Sequence, residues 1–424
     1  MLQFWAYTMV FLLALHYCSS EQACFKDGSC DETTSSVYDR YLLYDVNPGE
    51  GFNLRRDVYM RVASAVARLS GRGHWTLVLP PWGPLYHWQV TRGQHSVGVP
   101  WSRFFDLDSL DKYVPVMEFD QYRKESGARV ESALQLQDYA EGWRDGQFDE
   151  KWDRRPCLHK ARFRRSGEDH EALMWGEVTL RVAYFSCVSI QGTSETLADM
   201  VGSMPHRSVL VDRAEAVLHR HYGSADFWAV RRSMRFARHL VEEAAALRRD
   251  LLRSDDVTDR TEYSDDWRQM KAVPGSARGG PYLAVHLRRR DFVSGRARTV
   301  PSLAAAARAI SAALGRLRLD TVFLATDAPR SEVRQLKELL KPFTVVRPAP
   351  RKDLLAGEEA IVDQIVCSHA RHFIGSYEST FSFRIQEERE ILGFDAESTF
   401  NRLCGEAEGD ACDQPTRWRI EYDA

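Results

Sequence analysis

Three stretches of the chain carry residue types able to do chemistry together. In the first, Asp45-Val46-Asn47-Pro48-Gly49-Glu50-Gly51-Phe52-Asn53, one carboxylate stands between two glycines just ahead of an apolar-periodic run. Glycines let backbone approach a ligand closely, and the amides that open a helix attract an anion. Glu50 is then either a solvated turn carboxylate or a general base beside a phosphate-bearing ligand. In the second, His286-Leu287-Arg288-Arg289-Arg290-Asp291, a short apolar run ends in consecutive cations. On a strand His286 and Arg288 share a face. An arginine fork at a strand end suits a diphosphate, although a basic triplet also suits plain solvent exposure. The third, Gly375-Ser376-Tyr377-Glu378-Ser379-Thr380-Phe381, leads from one apolar run into another. Ser379 or Thr380 can cap a helix there while free amides take phosphate oxygens, or do no more than cap. Asp363-Gln364 sits among Ile361, Val362, Ile365 and Val366. A partly buried carboxylate wants donors, from a guanine edge, a ribose, an internal cap or a salt bridge. An acid on one side and a permanent cation on the other is the arrangement that displacement of an anionic leaving group requires.

These residues need elements to position them. Residues 40–46 read as a strand, 54–69 as a helix with apolar residues three and four apart, and 76–79 as a second strand stopped by Pro80-Pro81. Strand, helix, strand implies a parallel α/β unit. Residues 82–193 are aromatic and irregular; 213–221 and 227–252 read as helices, and 253–280 as a polar linker. Strands are expected at 282–287, 321–326, 343–346 and 372–375, and helices at 302–317, 331–340, 358–370 and 379–392. Four βα repeats make a Rossmann-like half whose ligands gather at the carboxyl ends of strands. The expected division is an N-terminal Rossmann-like domain over residues 21–255, a linker over 256–280 and a second such domain over 281–424.

Hydrophobic residues at 44% and charged residues at 28% of the 424 describe an ordinary globular chain. A mean hydropathy of -0.41 excludes a multi-span membrane protein. Lys+Arg 57 against Asp+Glu 60 leaves -3, which argues against general nucleic-acid binding. Residues 1–20 carry no charge, centre on Phe11-Leu12-Leu13-Ala14-Leu15 and end in Cys18-Ser19-Ser20, so they read as a cleaved secretory signal peptide rather than an anchor. In an oxidising lumen the seven remaining cysteines allocate most simply as Cys24–Cys30, Cys157–Cys187 and Cys404–Cys412, with Cys367 left on an apolar run. No Asn-x-Ser/Thr sequon occurs. Metal signals are weak: Cys367, His369 and His372 straddle a helix end and a strand, and Asp106-Leu107-Asp108 reads as a helix start. G-x-G-x-x-G, Walker A, H-E-x-x-H and G-x-S-x-G are absent.

Taken together, Asn47-Pro48-Gly49-Glu50-Gly51-Phe52-Asn53, the run from Leu79-Pro80-Pro81-Trp82 to Trp88, His286-Leu287-Arg288-Arg289-Arg290-Asp291-Phe292 and Ser379-Thr380-Phe381-Ser382-Phe383-Arg384 resemble the protein O-fucosyltransferases. The resemblance runs from about residue 40 to 422 and is nearest to the branch that modifies thrombospondin type 1 repeats. Gly49 stands where that pattern has a second proline. The resemblance implies a GT-B fold, two Rossmann-like halves facing across a donor cleft. It implies inverting, metal-independent transfer of fucose from GDP-β-L-fucose to a Ser or Thr hydroxyl of a folded repeat, with no cofactor. By carry-over Glu50 is the base, and Arg288 binds the departing phosphate with His286 and Leu287 beside it. Gly49, Gly51, Phe52 and Asn53 shape the donor loop, Asp363 reads the nucleoside, and Ser379, Thr380 and Phe381 hold phosphate or base. The expected setting is the endoplasmic reticulum lumen, as a monomer without nucleic-acid partners or a membrane span after signal cleavage. A transferase for EGF-like repeats and a non-catalytic repeat-binding chaperone are the competing readings.

Overall fold

The computed structural model describes residues 39–422 apart from 84, 86–97, 143–147, 177, 352, 400, 410–411 and 416–417. The signal segment, the Cys24–Cys30 pair and residues Tyr86 to Trp88 of the aromatic run lie outside the described residues. Nine strands build the first sheet: β1 (Arg40–Tyr44), β2 (Trp75–Leu79), β3 (Val116–Glu118), β4 (Arg129–Gln137), β5 (Lys151–Arg155), β6 (Arg164–Ser166), β7 (Asp169–Met174), β8 (Val178–Gln191) and β9 (Ser208–Asp212). Their order is β3-β2-β1-β9-β4-β8-β7-β6, with β5 also on β8. The pairings from β3 to β8 are parallel, and the β5, β6 and β7 pairings are antiparallel. The second sheet, β12-β11-β10-β13, is wholly parallel and uses β10 (Gly280–Leu287), β11 (Thr321–Thr326), β12 (Thr344–Val346) and β13 (Ala370–Ile374). The expected pair of Rossmann-like halves is present, each with buried apolar strands covered by helices.

The connection from β1 to the helix Phe52–Leu69 sets the site. That helix starts at Gly51 and buries Phe52, Val58, Val62, Val66 and Leu69, the apolar spacing seen in the sequence. Two sequence expectations fail for one reason, tertiary pairing of backbone. Residues 213–221 form only the 3-10 turn Ala214–Ala216, because Arg213 takes a left-handed φ of 62° and Leu218 N–H donates to the Gly192 carbonyl at 2.9 Å. The long helix expected over 227–252 is two, Ala225–Ser233 and Arg238–Leu252. The break bridges to residues 104–106: Ala237 N–H donates to the Phe104 carbonyl at 2.9 Å and Asp106 N–H to the Arg235 carbonyl at 3.0 Å. The irregular stretch after Trp82 supplies β3 to β8. The polar segment after Arg253 is packed, with Arg248 on Asp256 at 2.7 Å and the indole of buried Trp267 donating to the Ser109 carbonyl at 3.1 Å. Cys157–Cys187 and Cys404–Cys412 are bonded, and Cys367 is a buried free thiol, as expected.

Buried ion pairs join the halves. Arg231, in the helix Ala225–Ser233, pairs with Glu387 at 2.6 Å and Glu388 at 2.7 Å in the helix Thr380–Leu392. Arg384 of the same helix bridges Glu387 at 2.9 Å and Asp57 of the first helix at 3.1 Å. Burial pushes the Asp57 carboxyl up, but the His219 hydrogen bond and the charges of Arg384 and Arg61 outweigh it and hold the group well below the usual carboxylate range. Removing one member of such a set strands its partners in a dry interior. Arg231→Met is therefore expected to cost about 3–5 kcal/mol of stability; denaturant midpoints within error of the parent chain would contradict this.

Candidate active site

Glu50 occupies the turn between β1 and the helix Phe52–Leu69, at the carboxyl end of β1. The order β2-β1-β9 places that end where the strand order reverses, the customary crevice of an open parallel sheet. Glu50 N–H donates to the Asn47 carbonyl at 3.0 Å, closing a turn through Pro48 and Gly49. A Cβ at Gly49 would meet nothing within 4 Å, so this glycine answers no steric demand of the protein itself. Arg55 donates to the carbonyls of Glu50 at 3.0 Å, Asn47 at 3.1 Å and Val46 at 3.4 Å, and lies 3.7 Å from Asp45. Glu215 accepts from Asn47 N–H at 3.1 Å on the other side. Burial and the nearby Glu215 push the Glu50 carboxyl up, against the opposing charges of Arg55 and Arg61. Phe52 is buried and packs on Trp82, Phe104 and Phe105 with centroids at 4.9 to 6.2 Å, so its ring shapes the loop from the core side.

Asn53 faces the second half. Its side-chain oxygen accepts from Gln364 Nε2 at 2.9 Å, and Gln364 Oε1 accepts from Arg56 at 2.9 Å. Arg56 is fully buried among Phe52, Phe105 and Phe236; its Nε and Nη2 have no hydrogen-bond partner among the described residues. Asp363 precedes Gln364. Its carboxylate pairs with Arg347 at 2.9 Å, and Arg347 also donates to the Thr326 carbonyl at 2.9 Å. Burial pushes Asp363 up to about 6 although Arg347 pulls it down.

At the end of β10 the side chains alternate as a strand requires. The Leu287 side chain is buried in the core with Leu283 and Val285, and its carbonyl accepts from Thr326 Oγ1 at 2.5 Å. The residue therefore offers no side chain to a ligand. His286 turns the other way. It is 5% exposed, bonds Ser382 Oγ through Nδ1 at 2.8 Å and stacks on Phe381 at 4.4 Å. Arg288 N–H donates to Ser376 Oγ at 2.8 Å, and its guanidinium pairs with Asp291 at 2.7 Å and Asp327 at 2.9 Å. Arg289 is committed to Glu332 at 2.7 Å and the Pro301 carbonyl at 2.8 Å, and Arg290 donates to the Asp327 carbonyl at 2.9 Å, so the basic triplet divides into one cation by the histidine, one in the scaffold and one exposed. Ser379 stands at the N-terminal cap of the helix Thr380–Leu392 but makes no side-chain capping bond, contrary to expectation. The first amides of a helix have no intrahelical partner, and here they open beside Phe381 and His286. Gly375 is required by packing, since a Cβ would lie 2.6 Å from Ser382 Oγ.

Asn53, three residues after Glu50, thus touches Gln364, while His286, Arg288, Thr380 and Phe381 gather around the β10 and β13 ends. Sequence reasoning missed Arg55 and Arg347. Arg347 follows the carboxyl end of β12 and could have been found by the rule that singled out Arg288. Asp106 caps the helix Leu107–Asp111, as expected, and among the described residues no group of three His, Cys, Asp or Glu side chains could hold a metal.

Residues 41–392 match the family model described as GDP-fucose protein O-fucosyltransferase. The chain belongs to that family. It is 50% identical over 390 residues to the human GDP-fucose protein O-fucosyltransferase 2, covering 90% of each chain. It is 44% identical over 428 residues to the protein of the same name from Caenorhabditis elegans, covering 97% of this chain and 98% of that one. The crystal structure of POFUT1 in complex with GDP-fucose aligns with a TM-score of 0.54 at 15% identity over 86% of this chain and 96% of that one, a likeness of fold. This fucosyltransferase is a GDP-fucose-dependent glycosyltransferase of GT-B-like architecture.

Burial, then the charges of Arg288 and Arg347, push His286 down to about 3. An unfolded histidine takes up its proton near 6.5. The folded enzyme does so only near 3, so this residue withdraws stability as pH falls from about 6.5 toward 3. NMR of the His286 ring is expected to show a neutral imidazole throughout pH 5 to 8; a midpoint near 6.5 would contradict the burial argument.

Proposed function

We propose that this enzyme transfers L-fucose from GDP-β-L-fucose to Ser or Thr hydroxyls of folded thrombospondin type 1 repeats, with inversion and without a metal, in the endoplasmic reticulum lumen. The relatives named GDP-fucose protein O-fucosyltransferase 2 support GDP-fucose as donor and a protein as acceptor; the repeat class rests on the sequence resemblance. The two disulfides support an oxidising compartment, and among the described residues no helix is long and apolar enough to cross a membrane. The observation that carries the chemistry is the contact of Asn53, three residues after Glu50, with Gln364, next to Asp363. It brings the acid-bearing loop of one half against the nucleoside-side helix of the other. The N-terminal half then supplies the acceptor side and the base, and the C-terminal half holds the donor.

In this reading Glu50 removes the hydroxyl proton as the acceptor oxygen attacks the anomeric carbon from the face opposite GDP. The bond from that carbon to the β-phosphate oxygen breaks, its electron pair leaves with GDP, and the fucose is left in the α configuration. Arg288 stabilises the charge gathering on the phosphate, shared with Asp291 and Asp327 until donor arrives. Neutral His286 orients this end of the site through Ser382 and Phe381. Gly51 and Asn53 border the donor loop, Asp363 accepts from the nucleoside, and the first amides of the helix Thr380–Leu392 take phosphate oxygens.

Mass spectrometry of a folded thrombospondin repeat incubated with enzyme, GDP-fucose and EDTA is expected to show a gain of one deoxyhexose. A gain confined to EGF-like repeats, or none, would remove the acceptor assignment; a gain abolished by EDTA would remove the metal-independence. Glu50→Gln should keep GDP binding and lose about 10²–10⁴-fold in transfer. Near-normal donor turnover by Arg288→Ala would place the phosphate cation elsewhere.

A further inference from the structure

The loop that carries Glu50 contains Pro48 and two glycines, yet its carbonyls converge on one side chain. Arg55 lies one helical turn after Gly51, and Arg55 N–H donates to the Gly51 carbonyl at 3.0 Å, so the backbone of the helix start is fixed first. Its guanidinium then reaches back over the loop. Nε meets the Glu50 carbonyl at 3.0 Å, and Nη2 meets those of Asn47 at 3.1 Å and Val46 at 3.4 Å. Nη1 lies 3.7 Å from Asp45. Asp45 is itself anchored by Arg162 at 2.6 Å, which also holds Asp212 at 2.9 Å at the end of β9. The guanidinium also lines a recess with Tyr44, Pro81 and Trp82, where apolar walls strengthen such contacts. An arginine that spends its donors on three carbonyls of one short loop is placed to fix backbone rather than to bind a substrate anion.

We propose that Arg55 is a positioning residue for Glu50: its fork ties the Val46, Asn47 and Glu50 carbonyls together and holds the base in one place for proton removal. The assignment rests on Glu50 being the base. The charged groups that face Glu50 are Glu215 from the Ala214–Ala216 turn and Arg55 and Arg61 from the helix Phe52–Leu69. Glu215 raises the carboxyl and the two arginines lower it, so loss of Arg55 raises it further. A base must be ionised to work, and the acid limb of the transfer profile then moves to higher pH.

The test is transfer kinetics across pH with GDP binding by calorimetry and thermal melting, for Arg55→Gln, Arg55→Lys and Glu50→Gln. For Arg55→Gln the expected result is a fall in kcat of about 10²-fold, the scale of a misplacement near 1 Å. GDP affinity stays at the parent value and the acid limb moves upward. For Arg55→Lys, which keeps the charge but loses the fork, kcat falls while the limb stays closer to the parent. Parental kcat and pH profile in both variants would overturn the assignment, and so would loss of fold in both, which marks a structural role. If Glu50→Gln retains transfer, the base reading fails whatever the Arg55 variants do. If Glu50→Gln is inactive and the Arg55 variants behave as the parent, only the positioning role fails.

Discussion

Asp57, Arg231, Arg384 and Glu387 form a buried charge set that ties the helices of the two halves together, alongside the apolar core that the two sheets share. Each member is taken from water, so the set is weak as a source of stability and strong as a specifier of register. Asp57 belongs to the helix that begins at the Glu50 loop. Arg384 and Glu387 belong to the helix that begins at Thr380. One network thus joins the two helices whose starts carry residues of the candidate site.

The same logic explains why neutral groups and charges are segregated at the site. His286 is kept uncharged by burial beside two arginines, whereas Arg288 pairs with two carboxylates, Asp291 and Asp327. A histidine free to ionise there would repel neither phosphate nor water, and its hydrogen bond to Ser382 would change character across physiological pH. Asp363 is treated in the opposite sense: burial pushes it up while Arg347 restrains the rise.

Much of this was legible in the residues. The four βα repeats of the second half follow from apolar runs of strand length alternating with helical spacing. Glu50, His286, Arg288 and Asp363 stand out because charged residues at strand ends or inside apolar runs need a reason. The failures are equally physical. Nothing local in residues 213–221 announces that Leu218 will pair with Gly192. Nor does the helical spacing of 227–252 reveal that Ala237 will bond Phe104. Strand alternation sends the Leu287 side chain into the core, which leaves only its backbone for the role that the resemblance gives it. Arg55 escaped notice because its partners are carbonyls, which carry no sequence signature, and Arg347 because it lies apart from the glycine-rich and basic motifs.

Arg56 shows what such an arrangement exacts. It is sealed among aromatic rings and bonded to amide oxygens, with burial and the charges of Arg231 and Arg384 opposing its own charge and Glu387 and Glu388 supporting it. A thioether of similar volume would sit there at lower free energy, and would leave the amides of Asn53 and Gln364 to find one another unaided. At this position the burial of an incompletely bonded cation opposes stability while its bond to Gln364 links the two halves, which makes it a point of local frustration.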